Sequence, residues 1–268
     1  MRGGAQKKIS PCVQPCMPYS RRFLSSMFRR DNFIGRRVGE LLAAISSKLL
    51  WLLHNRDTPR LNREEIRFLR LGFSQCGEDH YVVDRLNALG VERGTYVDVG
   101  AYDPIHVSNT LLLHKRGWRG INVDLNPAAI ARFEDLRPGD INVHAALSDV
   151  AETVTVQLFE CALVNRIVPA GASAAKTSAT TRTMQTLTLR ELLTRHPPPG
   201  DRVDYLNVDC EGHDLSVLRG MDWGRWRPHV ITVEALDKEA REAIEVYLGA
   251  RGYRLGATFQ FTLCFVCG

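Results

Sequence analysis

The chain has 268 residues, 44% hydrophobic, 24% charged and 8% aromatic, with 21 Gly and 12 Pro. These proportions exclude collagen-like, disulfide-scaffold and wholly disordered chains, and the length suits one domain with an appendage or two small domains. The net charge of +5 is unevenly spread: residues 1–70 hold 15 basic and 5 acidic side chains, a net of +10, and residues 71–268 hold 20 and 25, a net of −5. A nucleic-acid-binding domain usually carries its positive charge on the folded body, so an acidic body behind a basic arm argues against a nucleic-acid partner.

Residues 1–37 read as a basic arm. Its first 30 residues hold seven Lys/Arg, three Pro and no acid, too little apolar surface to offset the entropy of ordering. Pro11, Pro15 and Pro18 interrupt any apolar block of a secretory signal; an extended start or flexible leader and an Arg-rich transit peptide remain as readings. Residues 38–70 form a helical extension. In 38–53, Val38, Leu41, Leu42, Ile45, Leu49, Leu52 and Leu53 recur at helical spacing, with Glu40, Ser46, Ser47 and Lys48 opposite. That run is too short to span a bilayer. It packs on the main domain or a partner chain or, with Arg29, Arg30, Arg36 and Arg37 upstream, lies peripherally on the inner, anionic face of a membrane. Seven irregularly spaced Cys point to a reducing, cytoplasmic compartment. Cys264 and Cys267 lack the further ligands that zinc needs and read as core strand thiols.

From residue 71 onward βα units alternate. Helical spacing runs over 81–89 to Gly90, followed by a strand at 95–99 ending in Gly100. A helix at 108–116 with Ser108 as N-cap, a strand at 121–124, a helix at 128–136 and a strand at 141–146 follow. Residues 154–159 alternate weakly as an extra strand or edge hairpin, and 160–186, rich in Ala, Ser, Thr and Gly, read as a long mobile loop. A helix at 187–195, a strand at 203–208, a helix at 215–219, a strand at 229–233 and a helix at 238–250 come next. The chain closes with an antiparallel pair at 253–255 and 259–266. Such alternation predicts an α/β fold with a doubly wound, mostly parallel sheet.

The chemistry-bearing residues fall at strand ends, where such sheets bind ligands. Asp98 precedes the Gly100 turn, which lacks the glycine spacing of a dinucleotide fingerprint and the Lys of a P-loop. An acid there repels pyrophosphate and suits an ammonium group. Asp124, ending the next strand, suits ribose hydroxyls, and Ser148-Asp149 follows the third strand where an adenine edge would be read. Together they fit S-adenosylmethionine better than NAD. After the fourth strand, Asp209-x-Glu211-x-His213-Asp214 gathers candidate bases, His213 first by its ordinary pKa, with Asp209 and Glu211 as alternatives. A divalent cation held by Asp209, Glu211 and Glu234 is a second reading of the same residues; no metal is expected.

At this point the sequence resembles the FkbM-type S-adenosylmethionine-dependent methyltransferases. The resemblance rests on Phe73–Asp79, Val97–Pro104 continuing to Ser108-Asn109-Thr110, Arg116–Gly120, Asp124–Pro127, Ala145–Asp149, Tyr205–Asp214 and Pro228–Glu234, in order. It implies a class I methyltransferase fold over about 73–268, with seven strands, the last antiparallel. It also implies methyl transfer to oxygen, on a saccharide or natural-product hydroxyl. Glu78, with Gln75, is expected over the methionine end of the cofactor, and the remaining cofactor contacts at Asp98, Gly100, Ala101, Tyr102, Asn109, Asp124, Leu125, Asn126, Ser148 and Asp149. An N-methyltransferase and a non-catalytic binding module of the same fold are the alternatives. The expected partner is a small hydroxylated acceptor, and oligomeric state is not readable.

Overall fold

The structure, a computed structural model, describes residues 62, 64–159, 165–168 and 180–268. The arm 1–37 and the amphipathic stretch 38–53 lie outside the described residues; within the extension, Glu65–Phe68 forms a single 3-10 turn. Residues Leu71–Gly268 form one unit.

The central strand β1 (Thr95–Val99) is buried along its whole length, as expected of a parallel strand covered on both faces. It pairs in parallel with β2 (Arg119–Asp124) on one side and with β8 (Tyr205–Val208) on the other. Beyond β2 lies β3 (Ile141–His144), and beyond β8 lies β9 (Val230–Glu234), both parallel. The last strand, β11 (Thr262–Cys267), runs antiparallel between β9 and β10 (Tyr253–Phe259). The seven-stranded order is therefore β3-β2-β1-β8-β9-β11-β10. The mostly parallel sheet with an antiparallel last strand agrees with the sequence expectation. Its order reverses between β1 and β8, the place where open α/β sheets form a ligand crevice.

Helices α1 (Glu78–Ala88), α2 (Leu111–Lys115), α3 (Pro127–Leu136), α4 (Leu189–Arg195), α5 (Asp214–Arg219) and α6 (Lys238–Gly249) accompany the sheet. Their starts follow local chemistry. Asn126 caps α3 by accepting from Ala128 N at 3.0 Å, with Pro127 at the first helical position. Thr188 and Glu191 close a capping box on α4. One core cluster joins Val97, Ile121, Leu206 and Ile231 of the strands to Leu192, Leu218 and Leu248 of the helices; another joins Tyr96 and Tyr205 to Val82, Leu86 and Trp118. Cys264 is fully buried in β11, as a core thiol should be. No helix among the described residues is long and apolar enough to cross a membrane.

Three local expectations are corrected. The helix expected at 108–116 begins at Leu111, because the Ser108 hydroxyl accepts from Leu111 N and the residues before it stay in a loop. The strand expected at 141–146 breaks after His144, and β4 (Ala146–Leu147) leaves for a second sheet. That sheet, ordered β4-β7-β5-β6, joins β4 to β5 (Thr153–Leu158), β6 (Arg166–Ile167) and β7 (Thr180–Leu187). Strands β6 and β7 fall inside the segment read as a loop, and residues 160–164 and 169–179 lie outside the described residues. Strand β7 is Thr-rich and largely exposed, so its pairing with β5 carries it and no apolar period announces it.

Candidate active site

The C-terminal ends of β1, β2, β8 and β9 surround a cavity of about 310 Å³. A smaller one of about 20 Å³ adjoins it and shares Gln75, Val107, Asn109, Asp209 and Glu234 among its lining residues. Five described residues other than glycine have positive φ, and four of them line these cavities: Tyr102 (56°), Val107 (53°), Glu211 (52°) and Gln260 (48°). Such conformations cost about 1–3 kcal/mol each and gather at functional sites.

Asp98 is almost fully buried on the cavity wall, accepting from Thr110 Oγ1 at 2.6 Å and from Asn207 Nδ2 at 2.9 Å. Burial pushes its carboxyl up, and those two bonds oppose the shift. Beside it, Asn109 donates to Asn207 Oδ1 at 3.2 Å, while its own Oδ1 is buried without a partner among the described residues. Gly100 holds φ 77° in a turn so close to the end of β8 that a Cβ would overlap the Asp209 carbonyl oxygen. Only glycine permits that approach. Asp124 accepts from Tyr102 N at 2.8 Å on one oxygen and from Asn126 N at 2.7 Å on the other; burial pushes it up to about 6 despite them.

In the same cavity, one carboxylate oxygen each from Asp209, Glu211 and Glu234 lies within 4.8 Å of the other two. Burial, with the neighbouring Asp214 and Glu211 charges, pushes Glu234 up to about 8. Asp209 is raised well above the carboxylate range by burial and by Glu234 and Glu211. Burial raises Glu211 as well, against the pull of Arg166. Crowding therefore disfavours three simultaneous charges, and Glu234 is the member raised past neutral pH. Buried Asp214 braces their turn by accepting from Cys210 N at 2.8 Å and Gly212 N at 3.0 Å.

The geometry divides the expected residues. Asp98, Gly100, Ala101, Tyr102, Asn109, Asp124, Leu125, Asp209, Glu211 and His213 meet in the larger cavity. Glu78 faces only the smaller one and accepts from Cys76 N at 2.9 Å. Asn126, Ser148 and Asp149 do not line either cavity. Asn126 is spent on capping α3. The Ser148 hydroxyl donates to Asp149 at 3.1 Å and lies 3.0 Å from His213 Nε2, so it positions the imidazole. Burial lowers the pKa of His213. Residues that motif reading missed also line the cavity: Asn207, Val107, Asn165, Leu236 and Phe261. Asn207 was findable as a polar residue in the buried run Tyr205–Val208; the others come from loops and turns and carry no signal.

A sequence model described as "Methyltransferase FkbM domain" matches residues 98–255, more than half of the chain. The chain belongs to the FkbM methyltransferase domain family. The matched span opens at Asp98 and takes in every lining residue of the larger cavity except Gln75 and Phe261. Among solved structures, the crystal structure of methyltransferase FkbM from Methylobacillus flagellatus KT is similar at 14% sequence identity and a TM-score of 0.40, over 66% of this chain and 45% of that one. The chain thus spans less than half the length of that FkbM methyltransferase. No curated protein matches the chain.

Proposed function

We propose that this FkbM-family methyltransferase uses S-adenosylmethionine to methylate a hydroxyl of a saccharide or natural-product-like small molecule, with residues 71–268 as the catalytic domain. The observation that carries this reading is the pairing of Asp98 with the unpartnered Asn109 Oδ1 on one wall of a cavity that also holds Asp124. A carboxylate and an orphaned acceptor suit the ammonium of a methionine moiety. Asp124, whose oxygens each keep free lone pairs, suits a ribose diol, and Gly100 lets the cofactor approach the backbone. The bound cofactor would supply an electrophilic methyl group on a sulfonium.

The chain's own residues must align the acceptor hydroxyl and take its proton. In this reading Asp209 accepts that proton, with Glu234 and Glu211 sharing it. A carboxylate whose pKa is raised by burial and neighbouring acids takes up a proton more readily than an ordinary one, whereas His213 Nε2 is engaged by Ser148. At the cavity mouth, Val107, Leu236 and Phe261 are 38%, 44% and 45% exposed. Partly exposed apolar side chains lining the same cavity as buried acids suit an acceptor with a hydroxylated end on an apolar body. The buried acids also support one alternative, an amine acceptor whose ammonium the carboxylates would neutralise before its nitrogen is methylated.

Calorimetry with S-adenosylmethionine tests the reading. Wild type should bind, Asp98→Ala should abolish the heat, and Asp124→Ala should weaken binding. A wild-type chain that gives no heat would refute it. Mass analysis of products from panels of sugar alcohols and amines separates hydroxyl from amine acceptors.

A further inference from the structure

Arg137, the C-cap residue that follows α3, is 1% exposed. Every hydrogen bond its guanidinium makes among the described residues goes to a neutral oxygen. Nη1 donates to Thr110 Oγ1 at 2.9 Å and to the Tyr96 hydroxyl at 3.4 Å. Nη2 donates to the Pro104 carbonyl at 2.6 Å and to Ser108 Oγ at 2.9 Å. The guanidinium stacks 5.0 Å from the centre of the Phe133 ring, and its Nε is buried without a partner among the described residues. Burying a cation costs several kcal/mol, and a leucine or methionine would fill much of the space without that cost. The charge is therefore expected to do something that packing does not.

What it does follows from where its bonds lead. Thr110 Oγ1 accepts from Arg137 and so must point its own proton elsewhere; that proton goes to Asp98 Oδ2, 2.6 Å away. The two Nη2 bonds clasp Pro104 and Ser108, on either side of strained Val107 and immediately before Asn109. Both Val107 and Asn109 line the cavity. One buried side chain thus ties together the partner of Asp98 and the loop that carries the orphaned Asn109 oxygen.

We propose that Arg137 is a positioning residue for the methionine end of the cofactor: through Thr110 it orients the donor to Asp98, and through Pro104 and Ser108 it fixes the loop that presents Asn109. This inference rests on the reading of the cavity as a S-adenosylmethionine site. It differs from a merely structural role in being selective, because the adenosine end rests on Asp124, which Arg137 does not touch. The positive charge also favours the ionised form of Asp98 across the Thr110 bridge.

The test uses two ligands. S-adenosylmethionine carries the amino-acid end, whereas 5′-methylthioadenosine keeps the adenosine and lacks that end. Calorimetric titrations of the full chain with both should show the Kd for S-adenosylmethionine rising about tenfold or more in Arg137→Gln, and the Kd for methylthioadenosine changing less than twofold. Arg137→Lys, which cannot reproduce the two-pronged donation, should fall between wild type and Arg137→Gln. Thr110→Val removes the hydroxyl that links Arg137 to Asp98 and should give the same selective loss; if Arg137→Gln does not fold, a selective loss in Arg137→Lys decides the matter, and Arg137→Lys binding both ligands as wild type does counts against the proposal. Equal weakening of both ligands, or no weakening of either, would overturn the proposal while leaving the cofactor reading intact. A wild-type chain that binds methylthioadenosine but not S-adenosylmethionine, or neither, would overturn the cofactor reading first.

Discussion

Replacing Gly100 with alanine tests whether the close approach of the turn after β1 to the end of β8 shapes the cavity. At φ 77° an alanine pays left-handed strain of about 1 kcal/mol. Its Cβ would overlap the Asp209 carbonyl oxygen and sit 2.8 Å from the carbonyl carbon, against backbone that has no rotamer to yield. Moving Asp209 away strains the Asp209 N to Val99 O hydrogen bond, 2.9 Å long and worth about 1 kcal/mol. Forced backbone shifts in packed regions add about 1–3 kcal/mol. The total of about 3–5 kcal/mol is a large share of a domain's stability of about 5–15 kcal/mol, and at about 2–4 °C per kcal/mol it lowers Tm by about 6–20 °C. Gly90→Ala is the control. Gly90 has φ 75° with nothing within 4 Å of the added Cβ, so it carries the strain alone, about 1 kcal/mol and about 2–4 °C. Melting curves for both variants and calorimetry with S-adenosylmethionine give the comparison: Gly90→Ala should keep cofactor binding and Gly100→Ala should lose it. Equal Tm losses, or undiminished binding by Gly100→Ala, would refute the reasoning.

Two further outcomes follow from the carboxylate cluster. If Asp209 receives the proton, Asp209→Asn should lower kcat by about a hundredfold or more with the cofactor Kd little changed, and His213→Ala by much less; the reverse order, measured on a common acceptor, passes the role to His213. Glu234 is raised to about 8 from an ordinary 4.5, so between those values the folded chain keeps a proton that the unfolded chain releases. Its contribution to stability therefore falls as pH rises through that window and is constant above it. Glu234→Gln imitates the protonated form, so its Tm relative to wild type should climb from pH 5 to pH 8 and then level off; a difference independent of pH would contradict the crowding of the three acids.

How much of this was legible depended on whether a residue's role was local. Asp98 lies one residue before the end of β1, Asp124 ends β2 and Asp209 directly follows β8, so strand, end and acid are read together, and the alternation of strands and helices implies that those ends share one edge of the sheet. The second sheet was not legible because β7 buries little and alternates weakly. Ser148 was expected to face the cofactor, yet its hydroxyl turns to His213, a contact 65 residues away in sequence that no spacing reveals. Arg137 is the clearest case. A basic residue before Pro138 at a helix end reads as a solvated side chain complementing the helix dipole, and only the return of the 104–110 loop buries it. The acidic balance of residues 71–268 is likewise informative only once folded: Asp98, Asp124, Asp209, Glu211 and Glu234 converge on one cavity. In the proposed reading, the positive sulfonium and ammonium of the cofactor enter a site whose raised carboxyls can give up shared protons as that positive charge arrives. Cofactor binding should then release protons, a linkage that neither the net charge nor the motif order expresses and that follows from the crowding of Asp209, Glu211 and Glu234.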